Sequence, residues 1–329
     1  MKLIFVIKAM SIWIVFCLML HAYFTSMPVH TRYANVSAHE QFVTRDEHDL
    51  QSTKLAMGQK NTQNLSAFAV YSKPVRLSRS NKHNMTSVYI CALSKSQPYW
   101  QKVYQTPVMK YLVKSIYKTH QQSSVSMDLY NITVLIGVDQ DDQFWQNHML
   151  ELKSEAMKFY KISLIVHVYK SQKNGRLPFN VLMQDAFNAN AEYLVRVNDD
   201  TEFETIGWIP KAVKQLMAFN PVNLGVVGPV CDEGNTNIMT HDMVHRTHLQ
   251  IFQTYYPSVF HNWYIDDWIS AVYGKARTMH MKTWHVHHHI ELGTRYTPVM
   301  DDQNFLGKEL ATGADMIDRY LQGNTLDTK

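Results

Sequence analysis

Hydrophobic positions in this chain are bunched into short runs. SVYICALS (87–94), NITVLIGVDQDD (131–142), KISLIVHVYK (161–170), AEYLVRVNDD (191–200) and NLGVVGPV (223–230) are apolar and β-branched nearly throughout, and two of them end in acids. Between these runs the apolar positions fall every third or fourth residue. TPVMKYLVKSIYKTH (106–120) and FWQNHMLELKSEAMKFY (144–160) have this helical spacing, and PFNVLMQDAFNA (178–189) begins with a proline, which suits a helix start. WIPKAVKQLMAF (208–219) predicts one stripe from Ile209, Val213, Leu216 and Met217. Strands apolar on both faces, alternating with amphipathic helices, predict an α/β fold with a mostly parallel sheet covered by helices. Ligands of such sheets bind beyond the carboxyl ends of the strands. The acids of the 131–142 and 191–200 runs fall at those ends.

The periodic texture begins only near residue 86. The expected organisation is an N-terminal apolar segment (1–24), a polar flexible stem (25–85), one α/β domain (86–300) and a C-terminal tail (301–329). No internal repeat or low-complexity tract interrupts it.

Composition adds little to this picture but removes some alternatives. The chain has 329 residues, 46% hydrophobic and 18% charged, so a sizeable core can form. The formal charge of +4 comes from scattered residues. That argues against nucleic acid as a partner, which calls for clustered basic patches. Cys17, Cys91 and Cys231 are too few for a disulfide scaffold. Cys91 reads as a buried thiol inside a strand, with a Cys91–Cys231 bridge left open.

The apolar segment MKLIFVIKAMSIWIVFCLMLHAYF (1–24) fits a signal anchor better than a cleaved signal peptide. Leu3 to Phe24 reaches the length of about 20 residues needed to cross a bilayer, provided Lys8 snorkels. No small-x-small cleavage site follows Leu20. Lys2 and Lys8 would hold the N-terminus in the cytosol and send the rest into the lumen. Sequons at Asn35, Asn64, Asn84 and Asn131 agree with lumenal exposure. The expectation is a Golgi or ER membrane protein with a lumenal domain, or a secreted one if the segment is cleaved.

Asn198-Asp199-Asp200 ends a buried-looking strand in that compartment. Hard oxygen ligands there suit Mg2+ or Mn2+, which in turn grip phosphates. A solvated turn with an Asp helix cap is the plainer reading of two adjacent acids. Residues 173–208 nevertheless resemble nucleotide-sugar-dependent glycosyltransferases of the A-type (GT-A) fold. In that family an Asn- and Gly-containing loop, a helix and an apolar strand lead into an Asp-x-Asp-type motif. Here Asn174-Gly175 supplies the loop and Asn198-Asp199-Asp200 the motif, with Asn in place of its first Asp. The anchor and stem also resemble those of Golgi enzymes of type II topology.

The resemblance implies a Rossmann-like sheet and a nucleotide-sugar donor, a UDP-sugar above all. It implies an acceptor that is a glycan, glycoprotein or glycolipid, with Mn2+ or Mg2+ as cofactor. It assigns Asp200 to the metal, and Asn198, Asp199 and Asn174 to the nucleotide.

HNWYIDDWISAVYG (261–274) holds a second acidic pair among aromatics. A helix cap accounts for one acid. Rings beside carboxylates also suit a sugar site, and the pair is similar to the one supplying the base in inverting GT-A enzymes. Asp266 or Asp267 is then the catalytic base.

HMKTWHVHHHIELGTRY (280–296) alternates histidines, so that His285, His287 and His289 share a strand face. A polar strand edge is the plain reading. By the resemblance, one of His287, His288 or His289 completes the metal site. Those histidines could instead hold zinc on their own, as in a lumenal zinc hydrolase. A non-catalytic glycan-binding protein of the same fold is the other alternative. His241, His245 and His248 recur at helical spacing without the HExxH pattern and read as packing residues. The loop PVCDEGN (229–235) reads as a connection, or as part of an acceptor site.

Overall fold

The computed structural model describes residues 85–170, 176–297, 299–301 and 303–326. The expected anchor, the stem, the sequons at Asn35, Asn64 and Asn84, and Asn174 lie outside the described residues. Among the described residues no helix is long and apolar enough to cross a membrane.

The first half of the domain contains β1 (Thr86–Ser94), a π-helical turn (Val108–Val113) that runs into α1 (Lys114–Gln121), α2 (Ser124–Leu129), β2 (Tyr130–Asp139), α3 (Gln143–Ala156), β3 (Ser163–Tyr169), α4 (Phe179–Asn188) and β4 (Tyr193–Arg196). The second half contains β5 (Thr201–Phe203), α5 (Trp208–Ala218), β6 (Val226–Cys231), β7 (Asp242–His245), α6 (Thr247–Phe252), α7 (Ile265–Ala271), β8 (Thr278–His288) and α8 (Gln303–Leu326).

The strands form one eight-stranded sheet in the order β3-β2-β1-β4-β7-β6-β8-β5. The β3-β2-β1-β4 half is parallel throughout. The expected mostly parallel sheet is mixed beyond it. β7 runs antiparallel to β4 and β6, and β5 antiparallel to β8, while β6 and β8 are parallel. β1, β2 and β3 are each followed by helices that carry the chain back across the sheet, which permits parallel pairing, whereas β6 and β7 are joined by a short segment without a helix and pair antiparallel.

Residues of β1 alternate between two cores, as the period of a strand requires. Val88, Ile90 and Ala92 pack with Leu112, Ile116, Trp145, Leu152, Trp208 and Leu216 from the layer of α1, α3 and α5. Cys91 and Leu93 pack with Leu182, Phe252, Tyr255, Trp268 and Ile317 from the layer of α4, α6, α7 and α8. Full burial of a Leu, Ile or Val contributes about 1.5–3 kcal/mol, so these two layers hold the sheet edge in place for the site.

Local signals explain the helix starts. Asp142 caps α3 by accepting from the Trp145 amide at 3.2 Å, and Ser123 caps α2 through Ser126. The acids after β2 therefore include a cap. Pro178 stands directly before α4, as its fixed φ favours.

Other expectations change. Met217 is 54% exposed and leaves the buried stripe of α5 to Ile209, Val213 and Leu216. Residues 241–252 split into β7 and α6, so their histidines do not share a helix. The segment after residue 301, expected as a tail, folds as the 24-residue α8 against α6 and α7. Cys91 and Cys231 are free thiols and not a bridge, and burial pushes the Cys91 thiol far up.

Candidate active site

The strand order places a topological switch at β1 and β4. The first crossover helices cover one face of the sheet, while α4 covers the other. The chain ends leaving β1 and β4 diverge there, and a crevice opens between them. Ser94 closes β1 and donates from Oγ to Asp199 Oδ2 at 2.7 Å, across 105 residues of sequence. Asp199 and Asp200 are 2% and 3% exposed, which rules out the solvated turn considered above.

Two buried carboxylates side by side need a cation. Arg295, from the loop after β8, supplies one. Its guanidinium pairs with Asp199 and lies 2.9 Å from Asp200 Oδ2. Burial pushes Asp199 above the usual carboxylate range, and Asp200 adds to this against the pull of Arg295. Burial also raises Asp200, but His288 and Arg295 outweigh it and hold that carboxyl low. One acid of the pair thus carries its charge more readily than the other.

His288 is the histidine that reaches the pair. Its Nε2 lies 3.1 Å from Asp200 Oδ1 and 3.2 Å from Asn198 Nδ2. One ring nitrogen cannot both accept from an amide and donate to a carboxylate. Either the Asn198 amide turns its oxygen to a His288 N–H, or a divalent cation beside the two carboxylates takes the Nε2 lone pair. Asp199, Asp200 and His288 fit an ion of the Mg2+ or Mn2+ class by their chemistry.

Around these groups lies an open cleft of about 290 Å³. That is just below the ~300–1,000 Å³ typical of small-molecule sites, and the Arg295 side chain lines it. Phe179 and Trp263 line it, and Trp263 is 41% exposed at its rim.

The other expected residues fall elsewhere. Asp266 and Asp267 open α7 and do not line this cleft. Asp266 instead pairs with Arg196 at 2.8 Å, and Arg196 pairs with Asp242 at 2.6 Å. Burial raises the Asp266 pKa, and the Arg196 charge opposes this without cancelling it. His287 and His289 point to the opposite side of β8 from His288. His287 meets Glu233, and His289 lies 3.0 Å from Glu202 and 2.8 Å from Glu291. The expected set His287, His288 and His289 therefore divides, because successive strand residues face opposite ways. His285 turns back onto the Lys282 carbonyl at 2.9 Å.

Sequence reasoning missed Arg295 and Ser94. The loop Gly-Thr-Arg-Tyr carries no periodic signal, and only folding brings it 96 positions back to Asp199. Ser94 had a weak signal as the last residue of the first apolar run.

No protein-family model matches the chain, and no curated protein matches it. Solved structures resemble it distantly. S. aureus TarS 1–349 in complex with UDP-GlcNAc is 11% identical, with a TM-score of 0.39, covering 62% of this chain and 58% of that one. GalNAc-T7 with UDP, GalNAc and Mn2+ is 10% identical, with a TM-score of 0.38, covering 62% of this chain and 43% of that one. A cytidylyltransferase from Leptospira borgpetersenii is 13% identical, with a TM-score of 0.30, covering 50% and 63%. The chain thus spans less than two thirds of the length of these structures. At such scores the likeness carries no functional argument.

Proposed function

We propose that this chain is a nucleotide-sugar-dependent glycosyltransferase of the GT-A type, moving a sugar from a nucleoside-diphosphate donor to an acceptor hydroxyl with inversion. The observation that carries this reading is the buried Asp199–Asp200 pair at the sheet's switch point, opening into a cleft with Arg295 and His288. A buried acidic pair facing a ligand cleft can receive an anionic group only through a cation. A diphosphate is the ligand class that such a bridge serves, and the motif resemblance points to a UDP-sugar.

Asp199, Asp200 and His288 would hold Mn2+ or Mg2+, which when bound supplies positive charge for the departing diphosphate. Arg295 brings the fixed N–H fork of its guanidinium to the same spot, suited to phosphate oxygens. Trp263 offers an exposed ring at the rim, where the apolar face of a pyranose can lie. Asp266 is the stronger candidate for base, since its raised pKa brings a partly exposed carboxyl closer to neutrality. Because it stands outside the cleft lining and pairs with Arg196, it would serve an acceptor hydroxyl held beyond the Trp263 rim rather than within the cleft. The lumenal, membrane-anchored location is part of the same proposal. The exposed Asn131, at the start of β2, leaves one sequon open to glycosylation.

The test uses the chain purified from a secretory host. Release of UDP from a panel of UDP-sugars is followed with Mn2+ and with EDTA. Turnover of one donor that EDTA abolishes is expected, and Asp200→Ala should lose metal-dependent UDP binding. Unchanged UDP affinity in Asp200→Ala would remove the metal assignment. Donor binding without turnover would leave a non-catalytic binding protein.

A further inference from the structure

Beyond the cleft, the far face of the β8 end carries a second cluster of donor atoms. His287, His289 and Glu291 each place one ligand atom so that all lie within 4.8 Å of one another. His287 near the end of β8, His289 just past it, and Glu291 from the following turn (Ile290–Leu292) make up the set. Two further carboxylates back it. Glu233 meets His287 Nδ1, and Glu202 Oε2 lies 3.0 Å from His289 Nε2.

The hydrogen-bond inventory of His289 closes only with added positive charge at the ring, either a second proton or a metal ion. His289 has a carboxylate oxygen at hydrogen-bond distance from each ring nitrogen, Glu291 at Nδ1 and Glu202 at Nε2. A neutral imidazole has one N–H, so one of those contacts would face acceptor to acceptor. Three carboxylates also surround two histidines. An imidazolium would donate to both carboxylates; a metal-bound imidazole resolves the conflict without a second proton, since it coordinates through one nitrogen and donates its other N–H to an outer carboxylate. Glu202 and Glu233 stand where such outer partners belong. Two imidazoles with one carboxylate favour a zinc-class ion, whereas the two carboxylates and one imidazole of the cleft lean toward the harder Mg2+ or Mn2+.

We propose that His287, His289 and Glu291 form a zinc-class transition-metal site, separate from the Asp199–Asp200 cleft. It does not depend on sugar transfer. Its place in the chain gives it a structural consequence. Glu291 is followed within a few residues by Gly293, at φ +77°, and then by Arg295. A metal tying that turn to the end of β8 fixes the loop that delivers Arg295 to the acidic pair.

The full-length chain, stripped with a chelator, is titrated with Zn2+ against a chromophoric competitor. It is also titrated with Co2+, whose visible absorption reports coordination geometry. With Mg2+ in excess to fill the cleft, one tight equivalent of Zn2+ is expected to bind, and Asp200→Asn should keep it. His287→Gln/His289→Gln should abolish that binding. Glu291→Gln should weaken it at least about tenfold, the scale on which even outer partners matter. The Glu291 side chain is 61% exposed, so this variant keeps the fold if the double variant does not. Hydrogen exchange across 290–297 should slow on adding Zn2+. Zn2+ binding that is lost in Asp200→Asn but kept in Glu291→Gln would overturn the proposal, as would no binding by the unsubstituted chain.

Discussion

Arg196 shows how much one residue decides here. It is 2% exposed inside β4 and lies between Asp242, which is fully buried, and the partly exposed Asp266. The Tyr255 hydroxyl also donates to Asp242, at 2.5 Å. Arg196→Met would leave a buried carboxylate uncompensated and is expected to cost about 3–5 kcal/mol, read by urea unfolding. The same residue bears on catalysis through Asp266. Asp266→Asn should bind donor normally yet lose transfer, whereas Asp267→Asn should turn over. Normal turnover by Asp266→Asn would exclude it as the base. At this scale the sequence was partly legible. Adjacent acids at a strand end announced a site, and an arginine inside an apolar strand implies a buried partner. Nothing local marked which histidine of three successive ones would turn inward. Nor did anything mark Arg295, whose role depends on a contact made across the whole sheet.

Elements that ran as long apolar stretches were readable, because burial on both faces leaves no other pattern. Short ones were not. β5 and β7 have three and four residues, too few for a period to show. α8 was hidden by its glycines, which lower helix propensity by about 1 kcal/mol each. One of them has a packing reason. A Cβ on Gly313 would stand 2.5 Å from Val272 Cγ2, with Trp268 and Phe252 behind it. This close approach, with the bond from Trp268 Nε1 to the Glu309 carbonyl, seats α8 on the helix that carries Asp266. Gly307 on the same helix meets nothing within 4 Å. The two positions should therefore respond with opposite signs. Gly307→Ala should gain up to about 1 kcal/mol from propensity. Gly313→Ala should lose stability, since overpacking of about 1–3 kcal/mol outweighs that gain. Equal responses in urea unfolding would mean that α8 is not held by this contact.

The two helical layers share one sheet, so a stress on both should be felt by the domain as a unit. Acid supplies such a stress. His120, in the layer of α1, places Nδ1 2.7 Å from the Ser126 hydroxyl. His248, in the opposite layer, uses both nitrogens. Nε2 donates to the Tyr255 carbonyl at 2.9 Å, and Nδ1 accepts from the Tyr273 hydroxyl at 2.8 Å. These roles are those of the neutral ring, which burial favours. Burial is the main cause that lowers each pKa to about 4, with Lys161 adding to it at His120. In the unfolded chain both return to about 6.5. Between those values the unfolded state holds the proton and the folded state does not. Stability is therefore full above about pH 6.5 and falls as pH drops toward 4, by about 1.4 kcal/mol per pH unit for each histidine. Unfolding followed between pH 6.5 and 5 should show this contribution within a total slope to which His241 and His245, also lowered by burial, add and which Asp199, raised by burial to about 6, opposes. His120→Gln/His248→Gln, though less stable at pH 7, should show that total slope reduced by the equivalent of two protons. A slope unchanged in the double variant would mean that these rings do not stay neutral in the fold, and that acid acts on the domain through other groups.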